Sequence, residues 1–234
     1  MDRFQSRGRI VAGIAFDIPG MGYKNPETGK IEGFEPDIAR AIAGVLPGAE
    51  DEVEFAQVKN ERRIPALQDG RVDMVVCQLT ITPDRLEQVD FSIPYYVARE
   101  GILVRKGSGI RKFDDLIGKR IAVTPASISI RRIRAAFPDA PLVVCALNAG
   151  LLEAVEKGEA DAASSDLINL MLMRKYAAHP EQFDIIDIGD RFPEKPYGVA
   201  VKKGQWAFVA ALNGAIESLK QHGEIDRLLH RNID

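Results

Sequence analysis

The sequence contains few of the residues that build metal centres and disulfide frameworks. Its 234 residues include two cysteines and three histidines, and neither set shows the short CxxC or HxxxH spacing of a metal site. Cys77 and Cys145 lie far apart, each in an apolar segment typical of a strand. We therefore expect two buried thiols rather than a disulfide, no metal ion and no cofactor.

Long apolar runs and dense basic blocks are also missing. Apolar runs such as Ile10–Phe16 are far shorter than the roughly 20 residues that cross a bilayer, so we expect a soluble chain. The net charge is -3 and Lys and Arg form no cluster, which argues against a DNA or RNA partner. Residues 1–9 are polar and lack the apolar core of a signal peptide, an absence that does not fix the compartment.

With 46% hydrophobic and 28% charged residues, the chain has a globular composition. Its apolar and amphipathic segments alternate, which predicts an α/β fold with a largely parallel sheet, in two similar passes. Strands are predicted at 10–16, 53–55, 75–81, 102–104, 120–124, 142–146, 161–163, 183–188 and 198–201. Helices are predicted at 34–46, 65–68, 114–117, 127–136, 151–156, 167–176, 206–221 and 224–230. Residues 17–33 are rich in Gly and Pro and predict a loop.

The segment DMVVCQLTITPDRLEQVDFSIPYY (73–96) carries the clearest chemical signal. Thr82 fits a helix N-cap, and Pro83 fits the first helical position, where its missing N–H costs nothing. Arg85 then falls at the third position, where the helix dipole is already positive. A guanidinium at this place predicts an anion-binding site.

Segments spread along the chain form a pattern that matches a known protein family. They are GFEPDIARAIA (33–43), LQDGRVDMVV (67–76), LIGKRIAV (116–123), GEADAASSD (158–166), YGVAVKKG (197–204) and HGEIDRLL (222–229). With the TITPDR and DFSIPYY stretches, they make nearly the whole chain resemble the type II solute-binding proteins of polar amino-acid ABC transporters. Any one segment is a weak signal, whereas the set is specific.

The resemblance implies a two-lobed α/β fold of the type II periplasmic-binding-protein class, also called a Venus flytrap. Lobe 1 would be discontinuous and comprise residues 1–97 plus 198–234, and lobe 2 would comprise residues 98–197. Two crossover strands would serve as the hinge. The ligand cleft would lie between the lobes and close on the ligand.

The family's contacts to the α-groups of an amino acid carry over to four residues. Arg85 is expected to bind the α-carboxylate, helped by the backbone N–H of Thr80. The Thr80 hydroxyl, the backbone carbonyl near Gln78 and the Asp166 carboxylate are expected to accept hydrogen bonds from the α-ammonium. Charge-assisted bonds of this kind contribute about 1.5 to 3 kcal/mol each. Capping of the following helix is a second, compatible role for Asp166.

The resemblance gives lobe 2 a further contact to the α-carboxylate, at the helix start formed by Ser127 and Ile128. Unpaired N–H groups at a helix N-terminus favour such an anion. Ala126 and Ile128 stand where the family commonly has Gly and Thr, and Ala enters positive φ less readily than Gly. Arg131 or Arg132 could supply a compensating charge.

The ligand side chain is expected to meet Arg63. The segment VKNERRIPAL (58–67) resembles the branch of the family that binds acidic amino acids, in which this arginine reaches the side-chain carboxylate. Glutamate or aspartate is therefore the leading ligand. Gln78 replaces a small residue and would reshape the pocket floor, and Met21 replaces an aromatic lid by a flexible thioether.

As an alternative, these arginines could form ordinary ion pairs on the protein surface. Such pairs are common and contribute little to stability. The alternative would leave both guanidinium groups in solvent and unavailable to a ligand. The pairs in question are Arg85 with Asp84 or Glu87, and Arg62 and Arg63 with Glu61.

The resemblance implies a non-enzymatic, monomeric carrier that delivers an amino acid to an ABC permease. It would be periplasmic, or extracellular and attached to the membrane, and would meet the membrane only through the permease or a lipid anchor. A cyclohexadienyl dehydratase-like enzyme on the same fold is one alternative. That reaction needs a general acid, and the cleft segments offer no Glu, His or Lys without a binding role. A ligand-sensing domain of a larger receptor is another alternative, which the full reading frame would distinguish.

Overall fold

The computed structural model describes residues 8–46 and 53–233, which contain eight α-helices and thirteen β-strands. The helices are α1 (Phe34–Val45), α2 (Arg63–Gln68), α3 (Pro83–Leu86), α4 (Ile128–Ala136), α5 (Ala149–Glu156), α6 (Leu167–Lys175), α7 (Trp206–Gln221) and α8 (Glu224–Ile233). The strands are β1 (Ile10–Ile14), β2 (Asp17–Ile18), β3 (Gly22–Lys24), β4 (Ile31–Glu32), β5 (Val53–Gln57), β6 (Met74–Val75), β7 (Val89–Ala98), β8 (Glu100–Arg105), β9 (Ile121–Val123), β10 (Leu142–Val144), β11 (Ala162–Asp166), β12 (Phe183–Asp187) and β13 (Lys195–Lys202).

The chain divides into two compact units. Unit 1 comprises Met1–Val97 and Pro196–Asp234, and unit 2 comprises Ala98–Lys195. The chain therefore leaves unit 1 after β7 and re-enters it through β13.

Unit 1 is built on a five-stranded sheet in the order β5-β1-β6-β13-β7. β1 runs parallel to β5 and β6, while β13 runs antiparallel to β6. Every residue of β1 is buried, as expected for the inner strand of a sheet covered on both faces. β7 lies at the edge of the sheet, where Pro94 removes no hydrogen bond from an inner strand.

A small antiparallel sheet, β2-β3-β4, lies within the segment predicted to be a loop. It leads into α1 through Gly33, whose φ of 123° lies in the region that favours glycine. A Cβ atom at Gly33 would stand 2.7 Å from the carbonyl carbon and oxygen of Met21. Glycine at this position therefore lets the first turn of α1 approach the backbone at Met21.

Unit 2 is built on a second five-stranded sheet, in the order β10-β9-β11-β8-β12. β9 runs parallel to β10 and β11, and β8 runs antiparallel to β11 and β12. Its core joins Ile102 and Val104 of β8 to Ile121 of β9 and Ile133 of α4. Asp166 is the last residue of β11, the central strand of this sheet, and directly precedes α6.

The α/β class and most predicted elements are confirmed. Helices α1, α4, α6 and α7 end within a residue of their predicted bounds. The expectation of a largely parallel sheet holds only in part, because each large sheet combines parallel and antiparallel pairs of strands. The predicted strand through 78–81 is also wrong, since β6 ends at Val75 and Gln78 has a φ of 47°. The ten-residue strand β7 was not predicted.

Both cysteines carry free thiols, and they differ in exposure. Cys77 is buried, as predicted, whereas Cys145 is only half-buried. Burial raises the pKa of the Cys77 thiol to about 12, so this thiol stays protonated at neutral pH.

Candidate functional site

Arg85 is held inside unit 1. Thr82 is the N-cap of α3 and Pro83 its first residue, as the sequence predicts. The Arg85 side chain is 4% exposed, and its Nη1 donates a hydrogen bond to the Thr80 carbonyl at 2.8 Å. The alternative of an arginine on a solvated face is therefore wrong.

The segment that joins β6 to α3 is buried and irregular. Thr80 forms a single bridge to Tyr197 instead of continuing a strand. Thr82 makes no side-chain capping bond, and within the described part of the chain its buried Oγ1 has no hydrogen-bond partner. A buried hydroxyl without a partner is uncommon, and this one lies within a few residues of Arg85.

Arg63, the first residue of α2, is also buried, with 3% of its surface exposed. Its Nη1 donates to the carbonyls of Cys77 and Gln78 at 2.9 and 3.1 Å, and its Nε donates to Asn60 O at 3.0 Å. The surface ion pair with Glu61 is therefore wrong for Arg63. Among the described residues, the two N–H groups of its Nη2 have no hydrogen-bond acceptor.

Gln78 adopts a left-handed backbone that a residue with a Cβ rarely takes, with a φ of 47°. Its backbone N–H donates to Glu35 Oε1 at 2.6 Å, and its Nε2 donates to Glu35 Oε2 at 3.1 Å. Its carbonyl accepts from Arg63 on the other side. The backbone of Gln78 is thus held between the Glu35 carboxylate and the Arg63 guanidinium.

Glu35, like its partner Tyr95, was not predicted from the sequence as part of the site. It is fully buried in the first turn of α1, and its Oε1 also accepts a hydrogen bond from the Tyr95 hydroxyl at 2.6 Å. Burial raises the pKa of the Glu35 carboxyl to about 7, while the bonds from Tyr95 and Gln78 and the charge of Arg63 lower it. Its position on the apolar face of α1, with Ile38 and Ile42 at helical spacing, was the available signal.

Met21, the residue predicted to cover the ligand, is fully buried. Its carbonyl accepts a hydrogen bond from the Glu35 backbone N–H at 2.9 Å. Unit 1 therefore brings together Glu35, Gln78, Arg63 and Tyr95 by side-chain contacts, and ties Met21 to them through the backbone. We call the first four residues the unit 1 cluster.

In unit 2, Ser127 is the N-cap of α4, at the helix start that the sequence predicts. Its Oγ accepts a hydrogen bond from Ile130 N at 3.2 Å and donates to Thr124 O at 2.8 Å. Ile128 is the first residue of the helix. Ala126, just before the cap, is exposed and has a φ of 54°, the conformation that the family's usual glycine takes more easily.

Asp166 is the N-cap residue of α6 but makes no side-chain capping bond. The alternative role of Asp166 as a helix cap is therefore confirmed in part. The residue occupies the N-cap position, but its side chain forms no capping hydrogen bond. Its Oδ1 instead accepts a hydrogen bond from Lys195 Nζ at 2.7 Å. A lysine ammonium thus already contacts the carboxylate that is expected to bind the α-ammonium of a ligand.

Lys195 is 1% exposed and belongs to a buried ionic network. Its Nζ lies 2.5 Å from Glu100 Oε2 and 3.2 Å from Ser129 Oγ. Glu100 also accepts hydrogen bonds from Arg132 Nη1 at 2.9 Å and from Ser164 Oγ at 3.0 Å. Arg132 therefore pairs with Glu100 rather than adding its charge to the loop before α4.

Of the predicted α-ammonium contacts, Thr80 and Gln78 belong to unit 1 and Asp166 belongs to unit 2. Arg85 and Thr80 contact each other in unit 1, and Asp166 contacts Lys195 in unit 2. Across residues 8–46 and 53–233, no group of His, Cys, Asp and Glu side chains is arranged to hold a metal ion. None of the helices in these ranges combines the length and apolarity needed to cross a bilayer.

Residues 10–234 match the sequence model of the bacterial extracellular solute-binding proteins, family 3. The ABC transporter glutamine-binding protein GlnH of Bacillus subtilis (strain 168) is 36% identical over 226 residues, which cover 96% of this chain and 81% of that protein. The glutamate-binding protein GluB of Corynebacterium efficiens is 26% identical, over 97% of this chain and 79% of that protein.

A solved structure with a similar fold is that of the ancestral amino acid-binding protein AncCDT-1, a precursor of cyclohexadienyl dehydratase. It superposes with a TM-score of 0.88 and is 30% identical in sequence. The match covers 100% of this chain and 99% of that one.

Proposed function

Because this chain belongs to the bacterial extracellular solute-binding proteins of family 3, which bind amino acids for ABC transporters, we propose that its ligand is L-glutamine, with L-glutamate as a second ligand of the same site. This proposal replaces the expectation that glutamate or aspartate is the leading ligand. The relative named for glutamine is 36% identical, and the one named for glutamate 26%.

Arg63 carries this choice of ligand. Its Nη1 and Nε are engaged by carbonyl groups, which fix the plane of the guanidinium, and its Nη2 has two N–H groups without an acceptor in the described part of the chain. A side-chain amide oxygen and a carboxylate oxygen are both suitable acceptors for these donors. Glutamine and glutamate place such an oxygen at the same distance from their α-carbon.

Arg85 is proposed to bind the α-carboxylate, with the Thr80 N–H beside it. Its burial supports this role, because a guanidinium in a water-poor site binds a carboxylate more strongly than one in solvent. The helix start at Ser127 and Ile128 is proposed as the contact from unit 2. The strained backbone of Ala126 supports a functional role for this loop, because such strain is commonly found at binding sites.

The α-ammonium is proposed to meet the Thr80 hydroxyl, the carbonyl near Gln78, and Asp166. Lys195 already donates to one oxygen of Asp166, so the ligand ammonium would use the other. The two oxygens of a carboxylate accept several hydrogen bonds in total, which allows this sharing.

The family resemblance further supports lobes at 1–97 plus 198–234 and at 98–197 that close on the ligand, with a cleft between them. In this proposal the ligand shifts the population toward closure, since contacts from both lobes are made only in the closed form. Small-angle scattering should then show a smaller radius of gyration when ligand is added. An unchanged radius at saturation would contradict closure.

The test of the ligand is calorimetry with each common amino acid, on protein that was unfolded and refolded to remove any bound ligand. Glutamine and glutamate should give saturable binding, and lysine, arginine and leucine should not. Binding of a basic or aliphatic amino acid in their place would overturn the proposal, and so would the absence of any binding.

Variants of two adjacent arginines provide the matched control for Arg63. Arg63→Met should weaken glutamine and glutamate binding by about 10-fold or more, the usual effect of losing a charge-assisted hydrogen bond. Arg62→Met should bind like the wild type, because Arg62 is exposed and its nearest ionic partner, Asp69, lies 4.0 Å away. Equal effects of the two substitutions would count against a ligand contact by Arg63.

The similarity to AncCDT-1 keeps a dehydratase-like enzyme as a second candidate. Glu35, with a pKa raised to about 7, is the one carboxyl in the unit 1 cluster that could hold a proton for such a reaction. Its two oxygens already accept three hydrogen bonds from Gln78 and Tyr95, which leaves it poorly placed to protonate a leaving hydroxyl. Turnover of prephenate or arogenate by the purified protein would favour the enzyme.

A further inference from the structure

The charge around the proposed side-chain site depends on Glu35 and Arg63, which both hydrogen-bond to the backbone of Gln78. Arg63 Nη1 donates to Gln78 O at 3.1 Å, and Glu35 Oε1 accepts from Gln78 N at 2.6 Å. Glu35, Arg63 and Gln78 are all buried, so water screens their interaction little. The charge of Glu35 is therefore felt directly at the Arg63 guanidinium.

Glu35 is held too firmly to turn away from this position. Three hydrogen bonds fix its carboxyl group, two from Gln78 and one from the Tyr95 hydroxyl at 2.6 Å. Its backbone is fixed as well, in the first turn of α1. The Glu35 carboxyl group therefore keeps its position when it gains or loses a proton, and its charge changes at that fixed position.

We propose that Glu35 is a specificity-determining residue, which acts through Arg63 and Gln78 and makes the site choose between an amide and a carboxylate side chain. With Glu35 ionised, its charge balances that of Arg63, and a neutral amide such as that of glutamine binds better. With Glu35 protonated, Arg63 is left with an unbalanced positive charge, and the carboxylate of glutamate binds better. This inference rests on the proposed function and names the group that tunes it.

Glu35 titrates near neutral pH, and its neighbours do not. Burial raises the pKa of Cys77 to about 12 and that of Tyr95 well above 10, so both stay neutral. Guanidinium groups stay protonated throughout this pH range, and the charge of Asp17 also contributes to the raised pKa of the Cys77 thiol. Of the elements packed against α1, β1 has no ionisable residue, and the ionisable side chains of β3, β4, β5, α7 and α8 are half-buried or exposed.

The first test measures the affinities for L-glutamine and L-glutamate between about pH 5.5 and pH 8, on either side of the Glu35 titration. The ratio of the glutamate to the glutamine affinity should fall by about 10-fold or more as the pH rises. In Glu35→Gln the ratio should be constant and should favour glutamate at high pH relative to the wild type. Glu217→Gln, which removes an exposed carboxylate of unit 1, should keep the wild-type profile.

The second test counts protons. Calorimetry near pH 7.5 in two buffers of different ionisation enthalpy should show proton uptake when glutamate binds and no uptake, or a small release, when glutamine binds, because glutamate favours the protonated form of Glu35 and glutamine the ionised form. Tyr95→Phe removes a hydrogen bond that lowers the pKa of Glu35, so it should move the selectivity change to higher pH. This variant serves if Glu35→Gln does not fold.

Two outcomes separate this inference from the proposed function. If both amino acids bind with a pH-independent ratio and no proton uptake, the role of Glu35 is overturned and the proposed function stands. If neither binds at any pH, the proposed function fails and this inference fails with it.

Discussion

Glu35 and Gln78, which lie 43 positions apart in the sequence, are joined by two hydrogen bonds, one to the backbone N–H and one to the side-chain amide. The left-handed backbone at Gln78 costs about 1 to 2 kcal/mol for a residue with a Cβ. The two bonds offset this cost and aim the Gln78 carbonyl at Arg63. The contact therefore links the first turn of α1 to the segment that leads to Arg85.

The titration of Glu35 should make the stability of unit 1 depend on pH. The pKa of this carboxyl is raised from 4.5 to about 7 in the folded protein, so the folded protein holds a proton that the unfolded chain has lost. Its contribution to stability is fully present below about pH 4.5 and is lost as the pH rises through about 7. The free energy of unfolding of the wild type should thus fall relative to that of Glu35→Gln across this range.

Chemical denaturation of both proteins at several pH values measures this difference. Glu217→Gln is the matched control, because its exposed carboxylate should give a difference that does not change with pH. A wild-type to Glu35→Gln difference as flat as that of the control would show that Glu35 titrates normally in the folded protein.

Ala126→Gly should stabilise the protein. Ala126 is exposed and has a φ of 54°, where an Ala is strained and a Gly is not. The relief of about 1 to 2 kcal/mol exceeds the roughly 0.5 to 1 kcal/mol that a flexible Gly adds to the unfolded chain. We expect a net gain of about 0.5 to 1 kcal/mol in urea denaturation.

The same substitution in the helix that follows should have the opposite sign. Ala135 is exposed and lies within α4, so Ala135→Gly should cost about 0.5 to 1 kcal/mol. If both variants lose stability equally, the backbone at Ala126 is not left-handed in solution.

Local rules predicted the parts of the site that depend on neighbouring residues. The start of α3 follows from threonine as an N-cap and proline at the first helical position, and the start of α4 lies within one residue of the predicted Ser127. These local rules do not predict that Arg63 and Arg85 are buried. Each has an acidic residue within two positions, Glu61 beside Arg63 and Asp84 beside Arg85, which made a surface ion pair a plausible alternative.

What the sequence could not show depends on residues that are distant along the chain. The conformation of Gln78 is set by Glu35, and Lys195 is buried because Glu100, 95 positions earlier, lies 2.5 Å from its ammonium. β7 contains Pro94, a residue that is unfavourable inside a sheet and is accommodated here because β7 lies at the sheet's edge. In each case a tertiary contact overrides a local preference.

Lys195→Met should destabilise unit 2 strongly. The Lys195 ammonium lies 2.5 Å from Glu100 Oε2 and 2.7 Å from Asp166 Oδ1, and both Lys195 and Glu100 are 1% exposed. Without it, a buried carboxylate loses one of its cations, a change that typically costs about 3 to 5 kcal/mol. Urea denaturation of the variant and the wild type measures this loss.

Two further variants decide whether the loss comes from the buried charge. Arg120→Met breaks the more exposed ion pair with Asp161 and should cost less than about 1 kcal/mol. In Lys195→Met combined with Glu100→Gln, no carboxylate at position 100 is left to compensate, so the double variant should be more stable than the sum of the two single effects predicts. Strictly additive effects would mean that Lys195 stabilises unit 2 by packing its aliphatic chain, and that Asp166 and Glu100 do not depend on its charge.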